Sequence, residues 1–204
     1  MRKIIYLHGF GSSGASGTAA LLRRAFMSAR DGERVQVLSP DIPVDPAEAL
    51  PMIRELTARE NPDLVVGTSL GGTYAQQLRG VERICVNPSF GLSKLYSILH
   101  VGKYKWLNER RDGAREFHVY KETIAHFAEM EAHQFDGCDE VDALFCHGLF
   151  GLKDDLTAPD RAIFESHYPG MTRTFEGGHR LNADLVRSHL LPYIRDVKGW
   201  DVGR

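Results

Sequence analysis

Three clusters in this sequence carry residue types that do nucleophilic chemistry together. They are Gly67-Thr68-Ser69-Leu70-Gly71-Gly72, Gly151-Leu152-Lys153-Asp154-Asp155, and Gly177-Gly178-His179. The first has the pattern G-x-S-x-G, directly after an apolar run and directly before a helical pattern. A serine on so sharp a strand-to-helix turn projects its hydroxyl above the end of a sheet, and glycine is required two residues away on either side. Serine at its free pKa is a poor nucleophile and needs a base oriented by an acid. His179, on a glycine-rich bend late in the chain, is the best base among nine histidines. Asp154 lies between the two in the expected order of serine, acid, histidine. Asp154 is preferred to its neighbour Asp155 because Gly151-x-x-Asp154 sets it at the tip of a turn, with Asp155 capping a helix or facing water.

Acyl transfer through such a set needs two N–H donors for the oxyanion. One comes from the residue after the nucleophile and one from the loop after the first strand. These are the backbone amides of Leu70 and Phe10, the latter in His8-Gly9-Phe10-Gly11-Ser12-Ser13. His8 is read as orienting that loop by hydrogen bonding. None of these steps requires a cofactor or a metal.

Short β-rich runs alternate with amphipathic ones, as positioning these residues demands. Strands are expected at 4–7, 35–38, 64–66, 84–86, 143–146 and 172–175, with helices at 18–29, 46–59, 74–78, 159–167 and 181–194. Asp45 before Pro46 reads as an N-cap with proline in the first turn. Strand–helix alternation of this kind means a mainly parallel sheet covered on both faces. Residues 89–141 break the rhythm. No strand is expected there; helices at 92–100 and 117–133 read as a helical lid inserted after the fourth strand of a single domain spanning 1–204.

Composition agrees with an ordinary soluble globular chain. The 204 residues are 43% apolar, and 25 basic against 27 acidic residues leave a formal net charge of −2. Generic attraction to nucleic acid or to an anionic membrane is not expected from that balance. The start turns polar too early for a signal peptide, and no stretch approaches the roughly 20 apolar residues of a membrane span. Cys85, Cys138 and Cys146 form no disulfide framework and are read as inert thiols in a cytoplasmic protein.

The motifs His8-Gly9-Phe10 with Ser12-Ser13, Gly67 to Gly72, Asn87-Pro88, Asp154-Asp155-Leu156 and Gly177-Gly178-His179 resemble the α/β-hydrolase superfamily, and within it the small bacterial YqiA-type esterases. The resemblance implies an α/β-hydrolase fold with six strands in the order 2-1-3-4-5-6 and a lid after the fourth. It implies hydrolysis of carboxylic esters, extending to acyl thioesters such as acyl-CoA. It matches Ser69 to the nucleophile, Asp154 to the acid, His179 to the base, and Phe10 and Leu70 to the oxyanion donors. The segment 88–142 is longer than in the small esterases, and Gly148-Leu149-Phe150 precedes the acid loop; both bear on substrate size. The expected partner is a small-molecule ester or thioester, with no nucleic acid and no membrane; a homodimer is compatible with this reading.

Two other classes compete. A non-catalytic binding protein on the same fold is one. A Rossmann-type NAD(P)-dependent oxidoreductase is the other, through Gly9-x-Gly11-x-x-Gly14. The acid it needs would be Asp41, which lies past a proline, and the glycines run on to Gly17 where a helix should have opened. His126, Glu129 and His133 share a helix face, read as a solvated stripe and not a metal site. Lys103, Lys105, Arg110, Arg111 and Arg115 interleave with Tyr104 and Trp106; they read as a solvated surface, with the phosphates of a CoA ester as the sharper alternative.

Overall fold

The computed structural model describes residues 1–27, 35–95 and 98–200. In chain order the elements are β1 (Arg2–Leu7), α1 (Gly17–Met27), β2 (Val35–Leu38), α2 (Pro46–Glu60), β3 (Leu64–Thr68), α3 (Leu70–Gln76) and β4 (Arg83–Val86). There follow β5 (Gly102–Lys105), β6 (Glu116–Val119), α4 (Lys121–His133), α5 (Glu140–Ala143), β7 (Cys146–Gly151), α6 (Asp160–His167), β8 (Thr172–Phe175), α7 (Ala183–Leu185) and α8 (Leu191–Lys198).

Six strands form one parallel sheet in the order β2-β1-β3-β4-β7-β8. Successive strand residues point to opposite faces, and the two cores divide accordingly. Ile5, Leu7, Val65, Cys85 and Phe150 face one side with Ile53 of α2, Tyr74 of α3, Phe127 of α4 and Phe164 of α6. Ile4, Tyr6, Val66, Ile84 and Leu149 face the other with Leu22 of α1 and Ile194 of α8. Burial on both faces is why the central strands read as nearly unbroken apolar runs. Asp45 caps α2, accepting from the Ala47 amide, with Pro46 in the first turn as its type predicts.

The expected order 2-1-3-4-5-6 becomes 2-1-3-4-7-8 when strands are counted along the chain, because residues 89–141 are not wholly helical. They contain an antiparallel pair, β5 with β6, in register Lys103↔His118 and Tyr104↔Phe117. Lys103, Lys105, Glu116 and His118 face out while Tyr104 and Phe117 turn inward. That alternation is a strand period, concealed by a ten-residue connection rich in charged and turn-forming residues. The helix expected at 92–100 is replaced by a single 3-10 turn, Leu92–Lys94; residues 96 and 97 lie outside the described ones. The second insertion helix opens at Lys121 instead of 117, since Phe117 belongs to β6.

The expected strand at 143–146 is displaced. Residues 140–143 close α5, and β7 starts at Cys146 and runs through two glycines. A Cβ on Gly148 would press on the rings of Phe150 and Phe164, which explains a glycine inside a buried strand. The expected helix at 18–29 is described as far as Met27, residues 28–29 lying outside the described ones. The last helix is interrupted by a π-type segment, Val186–Leu190. Among the described residues, no helix is long and apolar enough to cross a membrane.

Candidate active site

The carboxyl ends of β3, β7 and β8 converge, and each delivers one side chain. Ser69 stands between β3 and α3 with φ 55° and ψ −123°, a region that L residues avoid. The strain is maintained by packing. A Cβ on Gly67 would overlap the Gly71 carbonyl, and one on Gly71 would overlap the Leu7 carbonyl. These two glycines are the ones whose necessity the motif predicts.

His179 Nε2 lies 2.9 Å from Ser69 Oγ, and its Nδ1 lies 2.8 Å from Asp154 Oδ2. The structure therefore brings together Ser69, His179 and Asp154 as the spacing argument expects. Asp155 is exposed. Asp154 is 5% exposed, so its charge must be met by hydrogen bonds. Its Oδ1 accepts from the amides of Leu156 at 2.9 Å and Thr157 at 3.1 Å. Its Oδ2 accepts from the Thr157 hydroxyl at 2.6 Å as well as from His179. Burial raises the Asp154 carboxyl, and the hydrogen bonds from Thr157 and His179 outweigh it, leaving it below the ordinary range. An ionised carboxylate on Nδ1 fixes the tautomer that leaves Nε2 free to accept from a hydroxyl.

The loop after β1 approaches the serine closely. A Cβ on Gly9 would stand 3.2 Å from Ser69 Cβ. Phe10 follows it, and Leu70 opens α3, where first-turn amides have no partner within the helix. His8 is 4% exposed; its Nε2 accepts from the Ile42 amide at 3.0 Å, so Nδ1 carries the proton, which it donates to the Gly9 carbonyl at 2.9 Å. Burial lowers its pKa to about 4, keeping it neutral. It ties the loop after β1 to the segment after β2, the orienting role that its position predicts.

The inserted hairpin is bound to the same loop. The Phe10 ring meets Tyr104, Phe117 and Phe127 at centroid distances of 5.7, 5.6 and 6.5 Å. Leu107 N donates to the Gly11 carbonyl at 2.8 Å, and Asn108 Nδ2 to Ser12 Oγ at 2.9 Å. Much of the basic cluster is engaged internally. Lys103 pairs with Glu116, Arg110 stacks on Trp106, and Arg111 donates to the Ser39 carbonyl. Asp41, the acid a dinucleotide site would need, accepts instead from the amides of Gly14 at 2.8 Å and Arg111 at 2.7 Å. His126 and His133 turn to different carboxylates, Asp45 and Asp136. Among the described residues no group of three His, Cys, Asp or Glu side chains is arranged to hold a metal.

Sequence reasoning missed Thr157 and Asp160. Thr157 stands in the acid loop three residues past Asp154, and the Asx-type turn there is the signal that points to it. Asp160 accepts from the Phe90 amide at 3.1 Å, and burial raises its carboxyl to about 6. No local pattern marks it.

A parallel sheet with a serine on a strained turn at the end of β3, an acid after β7 and a histidine after β8 defines the architecture: the chain has an α/β-hydrolase fold. More narrowly, residues 3–99 match the model of an uncharacterised protein family, UPF0227. Solved structures share the fold at low identity. Est1E from Butyrivibrio proteoclasticus is 13% identical, with a TM-score of 0.68 over 97% of this chain and 88% of that one. The esterase domain of a Rhodothermus marinus protein is 16% identical, with a TM-score of 0.63 over 96% and 87%. Mouse alpha/beta hydrolase domain-containing protein 10 is 18% identical, with a TM-score of 0.60 over 96% and 88%.

Proposed function

We propose that the protein is a serine hydrolase that cleaves carboxylic esters, acyl thioesters included, through Ser69, His179 and Asp154. The observation that carries this reading is the unbroken hydrogen-bonded chain from Ser69 Oγ through the imidazole to a buried carboxylate. In the first half-reaction Ser69 Oγ attacks the carbonyl carbon and His179 Nε2 takes its proton. The amides of Phe10 and Leu70 receive the oxyanion; losing one such donor typically costs about 3–4 kcal/mol of barrier. His179 then gives the proton to the leaving alcohol or thiol, and Asp154 stabilises the imidazolium throughout. Water repeats the cycle on the acyl-enzyme and releases the acid. Residues 89–141 act as a cap whose aromatic hairpin, through Tyr104 and Phe117, shapes the acyl side. The Rhodothermus marinus structure, described as an esterase domain, lends support to ester chemistry on this scaffold.

A fluorophosphonate probe tests the reading together with p-nitrophenyl esters of graded chain length run beside acyl-CoA thioesters. The wild type is labelled at Ser69 and turns over at least one ester series, whereas Ser69→Ala folds, stays unlabelled and drops to background. Turnover that survives in Ser69→Ala overturns the assignment. A wild type that neither reacts with the probe nor hydrolyses any substrate favours the binding-protein reading.

A further inference from the structure

Asn87 directly follows β4 and its side chain hydrogen-bonds neither Ser69 nor the imidazole, yet it reaches both other loops of the site. It is 1% exposed and sits in the left-handed region at φ 43°, where asparagine is among the few side chains accommodated without large strain. Its Oδ1 accepts from the Gly151 amide at 2.7 Å. Its Nδ2 donates to the carbonyls of Gly178 at 3.2 Å and His179 at 3.0 Å. The orientation of the amide follows from these partners, since an N–H requires the oxygen and two carbonyls require the nitrogen. Both of its N–H groups are thus committed to the base loop and its oxygen to the acid loop.

Those attachment points matter. Gly151 starts the turn that carries the acid, and its carbonyl accepts from the Asp154 amide at 3.2 Å. The His179 carbonyl belongs to the base itself. The two loops also meet directly: Lys153 N donates to the Gly177 carbonyl at 2.8 Å, and a Cβ on Gly151 would lie 2.5 Å from that same oxygen. On the other side, Pro88 packs against Gly72 in the helix that follows Ser69. The Asn87-Pro88 pair is therefore the point where the three chain segments bearing acid, base and nucleophile are joined. Aspartate at 87 has no N–H to donate when ionised, serine is too short to span both loops, and a longer amide would have to push apart loops that already meet through Lys153 N–H and the Gly177 carbonyl.

We propose that Asn87 is a positioning residue that sets the acid loop and the base loop at the separation the Asp154–His179–Ser69 chain requires. The proposal rests on the hydrolytic reading for its functional meaning but makes a geometric claim of its own. Two variants test it. Asn87→Gly keeps the left-handed backbone and removes every side-chain bond. Asn87→Asp keeps the shape and the acceptor for Gly151 and removes the two donors. Each is examined by thermal unfolding, by NMR of the far-downfield proton between His179 and Asp154, and by kcat and KM against pH on a p-nitrophenyl ester.

In Asn87→Gly the downfield proton is lost and kcat falls about hundredfold, the scale expected of an ångström-level misplacement, with KM nearly unchanged. In Asn87→Asp kcat falls similarly, because a carboxylate oxygen then faces the Gly178 and His179 carbonyls and repels the loop that the amide had held. Folded variants that keep the downfield proton and wild-type kcat overturn the proposal, whatever their melting temperature. If Asn87→Gly does not fold, Asn87→Asp decides by the same criteria. If the wild type shows the downfield proton but no Ser69-dependent turnover, and the variants lose that proton, the positioning role stands and the hydrolytic reading fails.

Discussion

The Thr157 hydroxyl donates to Asp154 Oδ2 over 2.6 Å, the same carboxylate oxygen that receives His179 Nδ1–H at 2.8 Å. A side chain three residues along the loop thus helps hold the acid ionised and aimed. The Thr157 amide adds a bond to the other oxygen, so a four-residue turn satisfies much of a buried charge without using the imidazole.

This arrangement separates the two adjacent aspartates. Asp154→Asn places an amide against Nδ1 and favours the wrong imidazole tautomer, so kcat should fall by roughly 10⁴-fold, as comparable triad substitutions do. Asp155→Asn alters an exposed group and should leave kcat within about twofold. Steady-state kinetics on one p-nitrophenyl ester decide it, and a larger loss in Asp155→Asn would exchange their roles.

Gly151→Ala probes the contact between the acid and base loops. The added methyl would meet the carbonyls of Gly177 at 2.5 Å and Gly178 at 2.8 Å, both backbone atoms that give way only if the base loop shifts. The expected outcome is a folded protein with kcat lower by roughly tenfold to a hundredfold. Unchanged kcat would mean that the loops tolerate displacement.

His8 makes stability depend on pH. Its pKa is about 4 in the folded protein against 6.5 for the free side chain, so between those values the unfolded chain binds more protons. Its contribution is fully present above pH 6.5 and is lost progressively as pH falls toward 4, by an amount on the order of 3 kcal/mol. Urea unfolding at pH 7 and pH 5 should show a smaller loss in His8→Asn than in the wild type. Equal losses would place the buried imidazole outside the pH response.

Arg83 is fully buried and is bonded through Nη2 to Asp142, a pair at the opposite end of the sheet from the site. Asp142→Ala leaves the guanidinium uncompensated, at an expected cost of about 3–5 kcal/mol. The double variant Arg83→Met with Asp142→Leu should recover much of that loss, because paired apolar replacements avoid the desolvation penalty. Thermal unfolding of the single and double variants, with esterase kinetics as a control, separates stability from catalysis.

The parts of this protein legible in its sequence are those decided within a few residues. The turn at Ser69 is one, since a Cβ at Gly67 would collide with the Gly71 carbonyl only four positions on. The buried strands are another, because apolar runs report burial on both faces. The Asp45–Pro46 start of α2 is a third. Asp154 and His179 could be chosen because each stands on a glycine-bearing loop after a strand, in the order the chemistry demands.

Tertiary structure decided the rest. The β5–β6 hairpin pairs residues across a charged ten-residue connection, and its inward side chains acquire a face only once Phe10 is there to be covered. Asn87 bonds to residues 64, 91 and 92 positions away, and nothing beside it in the chain records those partners. Local sterics and periodicity are written in neighbouring letters. A hydrogen bond between distant loops exists only when the sheet has brought their ends together.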